Sequence, residues 1–218
     1  MMVVKLGGSI ARAGISNLVR VLGELSGSFL IVPGGWVFAD TVRLIDSQLG
    51  LGDVTAHEMA IAGMEMYGML IAELGGFRKV TLDEVESHAR AVLMPYSSRI
   101  HESELPGSWE VTSDAISIWV AAKLRDAGLL DCAGERAGAE ERAERAEVLK
   151  VTDVDGVFRN GRICRRVRAR DAAGCLDGYS AKLIEELDVR VFVCNGLVEG
   201  RVKDYIVEGR TLGTLIER

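Results

Sequence analysis

Short, unbroken apolar runs alternate along this chain with longer stretches in which apolar residues recur at three- and four-residue spacing. The runs lie at residues 2–6, 29–32, 91–94, 148–151, 189–194 and 212–216. Leu30, Ile31 and Val32, and again Val191, Phe192 and Val193, show no polar alternation, as expected of strands covered on both faces. Helical spacing covers roughly 15–25, 37–49, 54–74, 113–127, 181–186 and 198–207. Strand and helix in alternation predict an α/β fold, a three-layer α-β-α sandwich with a mostly parallel central sheet. No repeat of solenoid length interrupts this order.

Composition narrows the picture. The 218 residues suit one α/β domain, or two tightly joined lobes, better than two independent units. Glycine is in excess at 25, against a typical ~7%, while there are only three prolines. A net charge of −6 argues against nucleic acid or an anionic membrane as partner. No apolar stretch reaches membrane-spanning length, and MMVVKLGG lacks the apolar core of a signal peptide. Cys132, Cys164, Cys175 and Cys194 form no CxxC pair, and His57, His88 and His101 have no metal-ligand spacing. Reduced thiols in a cytoplasmic protein, with no protein-built metal site, are therefore expected. Residues 133–147, nearly all Ala, Gly, Glu and Arg, read as a solvated loop or a short exposed helix. Residues 54–74 hold Met59, Met64, Met66 and Met69, which suits adaptable core or a homo-oligomer interface; His57, Glu58 and Glu65 could serve a ligand from its polar side.

Five units can carry chemistry. In the first, strand 2–6 runs into Gly7, Gly8 and Ser9, with a helix expected after a short polar stretch. Glycines at a strand's end let backbone N–H groups approach an anion. Lys5 is the polar exception in that strand, either an edge lysine or the partner of an anion. The second unit repeats the logic, with strand 29–32, then Pro33, Gly34, Gly35 and Trp36, then a helix. In a parallel sheet both turns face the same carboxyl edge. Thr112, Ser113 and Asp114 precede an apolar helix, as an N-cap or as a counter-charge to lysines. Lys150 to Phe158 (KVTDVDGVF) is a strand followed by an acidic turn. Lys182 falls near the start of a helix, a poor place for a cation unless it meets an anion or is fully exposed. GxxxxGK[ST] and GxGxxG after the first strand are both absent, so a phosphate site here uses another architecture.

These units stand in the order found in the amino acid kinase family, which the chain resembles over nearly its whole length. The motifs are VVKLGGS (3–9), VPGGW (32–36), VTSDAI (111–116), LKVTDVDGVF (149–158) and GRTLGTLI (209–216). PGGWVFADTVR (33–43), AHEMAIAGMEMYG (56–68) and VCNGLVEGRV (193–202) look most like the family's archaeal methanofuran-biosynthesis branch. That branch phosphorylates a phosphate monoester to the diphosphate. The resemblance implies ATP and Mg²⁺ as cofactors and a small-molecule phosphate as substrate. It implies an acceptor-side lobe over about 1–130 and a nucleotide-side lobe over 131–218. Lys5, Asp114 and Lys182 resemble the catalytic set, and Gly7, Gly8 and Ser9 the donor-phosphate turn. Lys150, Thr152, Asp153, Asp155, Gly156, Val157 and Phe158 match the segment around the nucleotide. Gly34, Gly35, Trp36, Arg43 and Thr112 fall on the acceptor side. Arg99 is a second candidate for the acceptor's phosphate, and Asp40, Glu58 or Glu65 for an amine. Two departures stand out: Trp36 replaces the usual third glycine, and Asp177 and Tyr179 replace a Gly and a Met in the motif that carries Lys182. An acetylglutamate- or uridylate-like kinase, and a non-catalytic nucleotide or oxyanion binder of the same fold, are the alternatives.

Overall fold

The computed structural model describes residues 1–130 and 146–218. Cys132 and most of the Ala/Glu/Arg-rich stretch lie outside the described residues; Glu147, its last residue, opens a strand.

The strands are β1 (Met2–Leu6), β2 (Phe29–Pro33), β3 (Arg78–Val80), β4 (Arg90–Leu93), β5 (Glu147–Thr152), β6 (Phe158–Arg159), β7 (Arg162–Ile163), β8 (Arg166–Arg168), β9 (Arg190–Asn195) and β10 (Thr214–Glu217). The helices are α1 (Gly8–Glu24), α2 (Trp36–Leu49), α3 (Asp53–Gly75), α4 (Ser113–Asp126), α5 (Gly178–Leu187) and α6 (Arg201–Glu208). Eight strands form one sheet in the order β3-β4-β2-β1-β5-β9-β10-β8, while β6 and β7 pair as a separate hairpin. Pairing is parallel from β3 through β9; β10 runs antiparallel to β9, and β8 parallel to β10.

Alternate residues of each strand face opposite layers. Val3, Leu30, Val32 and Val148 pack with α4 and α5 through Ile116, Ile118, Leu183 and Ile184. Val4, Leu6, Ile31 and Val151 pack with α1 and α6 through Val19, Leu22, Tyr205 and Ile206. Long α3 contributes Ile61 and Met64 to the first layer, and Tyr67 and Ile71 to the second. This is the expected α-β-α sandwich. Among the described residues no helix is long and apolar enough to cross a membrane.

The chain leaves β1 for β2, crosses to the edge strand β3, fills the gap with β4, and only later returns to lay β5 against the other side of β1. The reversal beside β1 opens a crevice at the carboxyl edge, where α/β sheets hold ligands.

Two local features depart from the sequence pattern. Helix α1 begins at Gly8, directly after the strand, rather than at residue 15. It bends at Gly14, whose φ of 119° is closed to most side chains, so the regular apolar spacing starts beyond that point. The short strands β3, β6, β7 and β8 leave no apolar run, because most of their side chains face solvent.

Candidate active site

Lys5 and Lys150 stand opposite one another in the parallel register of β1 and β5. Both share the side of their strands that faces α4. Helix α4 starts there because Thr112 caps it, its hydroxyl accepting from the Asp114 N–H at 3.1 Å. That cap puts Asp114 in the first turn, over the two strands. Lys5 Nζ lies 2.6 Å from Asp114 Oδ1, and Lys150 donates to Asp114 Oδ2 and to the Cys175 carbonyl. The three side chains are only 8%, 11% and 12% exposed for Lys5, Lys150 and Asp114.

Burial works against every charge in this cluster. Desolvation pushes the Asp114 carboxyl up, but Lys5 and Lys150 outweigh it and hold the group below its ordinary value. Desolvation, with Lys150 alongside, pushes Lys5 below the ordinary lysine value against the pull of Asp114.

The two glycine turns meet beside this cluster. The Gly7 N–H donates to the Val151 carbonyl at 3.0 Å, and the Gly34 N–H to the Leu6 carbonyl at 2.9 Å. These bonds tie the ends of β5, β1 and β2 into one edge. A Cβ on Gly8 would lie 2.7 Å from both Cα and N of Trp36, and one on Gly34 would lie 2.9 Å from the Leu6 carbonyl oxygen. Helices α1 and α2 therefore begin against each other, with unpaired N–H groups and positive dipole ends pointing to one place. We expect Gly8→Ala to force the turns apart, lower stability by about 1–3 kcal/mol and raise the KM for the nucleotide. Chemical denaturation and initial rates measure the two effects.

Trp36 sits at φ 45°, the left-handed region that its glycine-like position demands. Its ring packs 5.7 Å from Phe38 and 5.4 Å from Tyr67, which hold it there. It forms one wall of a cavity of about 540 Å³ that also meets Gly8, Ser9, Gly35, Asp40, Arg43, His57, Trp109, Thr112 and Asp153. Arg43 lies 3.3 Å from Asp40 and stacks 4.8 Å over the Trp109 ring, whose indole N–H donates to Asp46. Burial lowers the pKa of His57 against the opposing pull of the Ser108 backbone.

Beyond the cavity, the KVTDVDGVF turn is clamped from two sides. Asp155 accepts from Asn195 at 3.0 Å and pairs with Arg201, which holds its carboxyl below the ordinary range. The Val157 N–H donates to Thr214 Oγ1 at 2.9 Å, so the closing GTLI segment anchors the turn. Gly156, with φ 138°, packs against that threonine, and Phe158 is exposed on β6. Thr152 donates to Asp153 at 3.1 Å.

Of the sequence candidates, Gly8, Ser9, Gly35, Trp36, Arg43, Thr112 and Asp153 line the cavity, and Lys5, Asp114 and Lys150 form the buried cluster at the start of α4. Gly34 lies behind the cavity wall. Lys182 stands elsewhere, on the exposed side of α5, 3.4 Å from Glu186 and 62% exposed. Its dipole conflict is relieved by exposure and by this partner. Asp177 caps α5, accepting from the Ser180 N–H at 2.7 Å, and takes the Thr112 hydroxyl at 2.7 Å, which ties α5 to the start of α4. Arg99 pairs with Glu102, Glu65 accepts from Ser97, and Glu58 from Tyr96. None of those three lines the cavity. The sequence reading gave no role to Trp109, nor to Asn195, Arg201 and Thr214, which lie inside the motifs at 193–202 and 209–216.

Buried paired lysines, a carboxylate bridging them and two helix N-termini at one sheet edge make a site suited to phosphoryl transfer. The relatives agree. The [5-(aminomethyl)furan-3-yl]methyl phosphate kinase of Methanocaldococcus jannaschii is 30% identical over 223 residues, covering 96% of this chain and 94% of that protein. UMP kinase from Ureaplasma parvum superposes with a TM-score of 0.64 at 13% identity, over 100% of this chain and 98% of its own. Uridylate kinase from Archaeoglobus fulgidus gives 0.64 at 18%, over 99% and 100%. No family model matches the sequence. The chain belongs to the amino acid kinase family, together with the methanocaldococcal enzyme.

Proposed function

We propose that this protein transfers the γ-phosphoryl group of ATP to the phosphate of [5-(aminomethyl)furan-3-yl]methyl phosphate, giving the diphosphate and ADP. The observation that carries the reading is the cavity beside the lysine cluster. It joins aromatic walls, a carboxylate and a guanidinium within one volume. A small aromatic ring carrying both an ammonium and a phosphate brings a counter-charge for each member of the Asp40–Arg43 pair and a face for the aromatic walls. The relative at 30% identity, which carries this substrate in its name, supports the choice.

The chemistry needs little from the protein beyond position and charge. An oxygen of the acceptor phosphate attacks the γ-phosphorus as the bond to the β–γ bridging oxygen breaks, and ADP leaves. A phosphate monoester is already ionised near neutral pH, so no general base is required. The N–H groups opening α1 receive the donor phosphates, and those opening α2 the acceptor side. Lys5 follows the migrating group as a point charge. Arg43, backed by Trp109, grips the acceptor's own phosphate. Among the described residues no three His, Cys, Asp or Glu side chains converge on a metal site. Asp153 and Ser9 on the cavity wall are hard oxygen donors, and that suits a Mg²⁺ held mainly by phosphate oxygens. Such an ion, when bound, neutralises phosphate charge.

In this reading the lobe over about 1–130 handles the acceptor and also carries the donor-phosphate turn, and the lobe over 131–218 surrounds the rest of the nucleotide. The exposed methionines Met66 and Met69 on α3 suit a homo-oligomer, and the free thiols of Cys164, Cys175 and Cys194 suit the cytoplasm.

Asp40 is the one acid among the three amine candidates that meets the cavity. Replacing it by asparagine should raise the KM for the aminomethyl acceptor about tenfold or more, with kcat little changed. An acceptor lacking the amine should show no such rise. Initial rates with paired acceptors measure the difference. The function itself is tested by offering ATP with the aminomethylfuran phosphate, UMP and isopentenyl phosphate in parallel. Preference for the furan by kcat/KM is expected; use of either other acceptor with the furan ignored would sink the assignment.

A further inference from the structure

We infer that Lys150, standing beside Lys5, supplies the second ammonium that contacts the transferred phosphoryl group. The inference rests on the proposed function and deepens it.

Position is the first argument. Lys5 and Lys150 are register partners on adjacent parallel strands, at the crevice where the chain reverses direction across the sheet. Neighbouring strands lie about 4.8 Å apart, so two ammonium groups on one face are spaced to embrace a single phosphoryl unit. Lys182, which the motif spacing nominates, is paired with Glu186 on the outer side of α5.

Charge is the second argument. Two ammonium groups directly touch one carboxylate, Asp114. Asp177 is the next acid, and it acts on Lys5 only through space while accepting from Thr112 and Ser180. A lysine buried to this degree is costly without a full counter-charge. Its strand neighbours Val148, Leu149 and Val151 show what the position would hold for packing alone. An anion entering beside the pair supplies the missing charge.

Hydrogen bonding is the third argument. Of the three Lys150 N–H groups, one reaches Asp114 and one the Cys175 carbonyl. Those two bonds fix the ammonium and leave a third donor for a phosphoryl oxygen.

The competing role is a structural pin that holds the Cys175 carbonyl and Asp114. Lys150→Met separates the two. A pin predicts a lower Tm, with activity lost only through unfolding. A phosphoryl contact predicts the opposite, because the Lys5–Asp114 pair left behind is balanced. We expect Tm unchanged or raised, kcat down about 10²–10³-fold and both KM values within about threefold of the wild type. Lys150→Gln, which keeps a donor for the carbonyl, should lose kcat to the same degree. If Lys150→Met, or the glutamine variant where methionine fails to fold, retains kcat within tenfold, the inference is overturned. It is overturned equally if neither variant folds. The wild type in the same assay separates the two claims. An inactive wild type removes the kinase reading and this inference with it; an active wild type matched by its Lys150 variants removes this inference alone.

Discussion

Replacing Asp114 by asparagine is expected to cost more stability than any other single change in the site, and to slow turnover as well. The carboxylate is buried with two ammonium groups against it. Asparagine keeps its shape and removes its charge, leaving two like charges facing each other out of water. Breaking a buried ion pair in this way destabilises by about 3–5 kcal/mol. Turnover should fall about 10²-fold or more, because the lysines lose the group that aims them.

The pH dependence gives the prediction a sign. Asp114 has a lowered pKa in the folded protein, so it adds stability above its unfolded value near 4 and loses it as pH falls through the lowered one. That acid-side loss should shrink in the variant. Lys5 behaves in the other direction. Its folded pKa lies below the ordinary lysine value, so the unfolded chain binds more protons over that window and stability rises with pH. Without Asp114 the window widens downward, and the variant should regain stability more steeply than the parent as pH rises toward the unfolded lysine value of about 10.4. Urea unfolding across that range measures it. A flat profile would mean that the ammonium groups escape to solvent when the carboxylate is lost.

Lys5→Met should leave the fold standing and stop the reaction. The variant retains the Lys150–Asp114 pair, so no buried charge is stranded, and methionine fills most of the lysine stem. Stability should change by less than about 1 kcal/mol. Phosphoryl transfer should fall about 10²–10³-fold through kcat, because Lys5 stands at the turn where donor phosphates meet α1. Thermal unfolding alongside single-turnover transfer separates the two effects. Turnover near the parent rate would remove Lys5 from the chemistry.

How far the sequence could be read depended on distance along the chain. Each glycine turn was legible because strand, turn and helix are consecutive, and the same holds for Asp114 at the head of α4. The pairing of Lys5 with Lys150 was not, since it depends on β5 inserting beside β1 after the chain has travelled to β3 and back. In the strand pattern Lys150 was one polar residue among apolar ones, and its place in the nucleotide motif hid its reach toward Asp114. The edge strands β3 and β8 were invisible because exposed arginines and lysines cover them. Motif spacing drew attention to Lys182, yet Asp177 seats α5 so that this lysine faces solvent. The glycine excess proved informative at Gly8, where the second turn leaves no room for a side chain.

The central claim is transfer between two phosphates. The direct measurement is ³¹P NMR of the protein with ATP, Mg²⁺ and [5-(aminomethyl)furan-3-yl]methyl phosphate. The account predicts that the monoester resonance is replaced by the coupled pair of a diphosphate, in step with ADP and without free phosphate. ATP that binds unchanged, or that yields ADP and inorganic phosphate while the monoester persists, would contradict it.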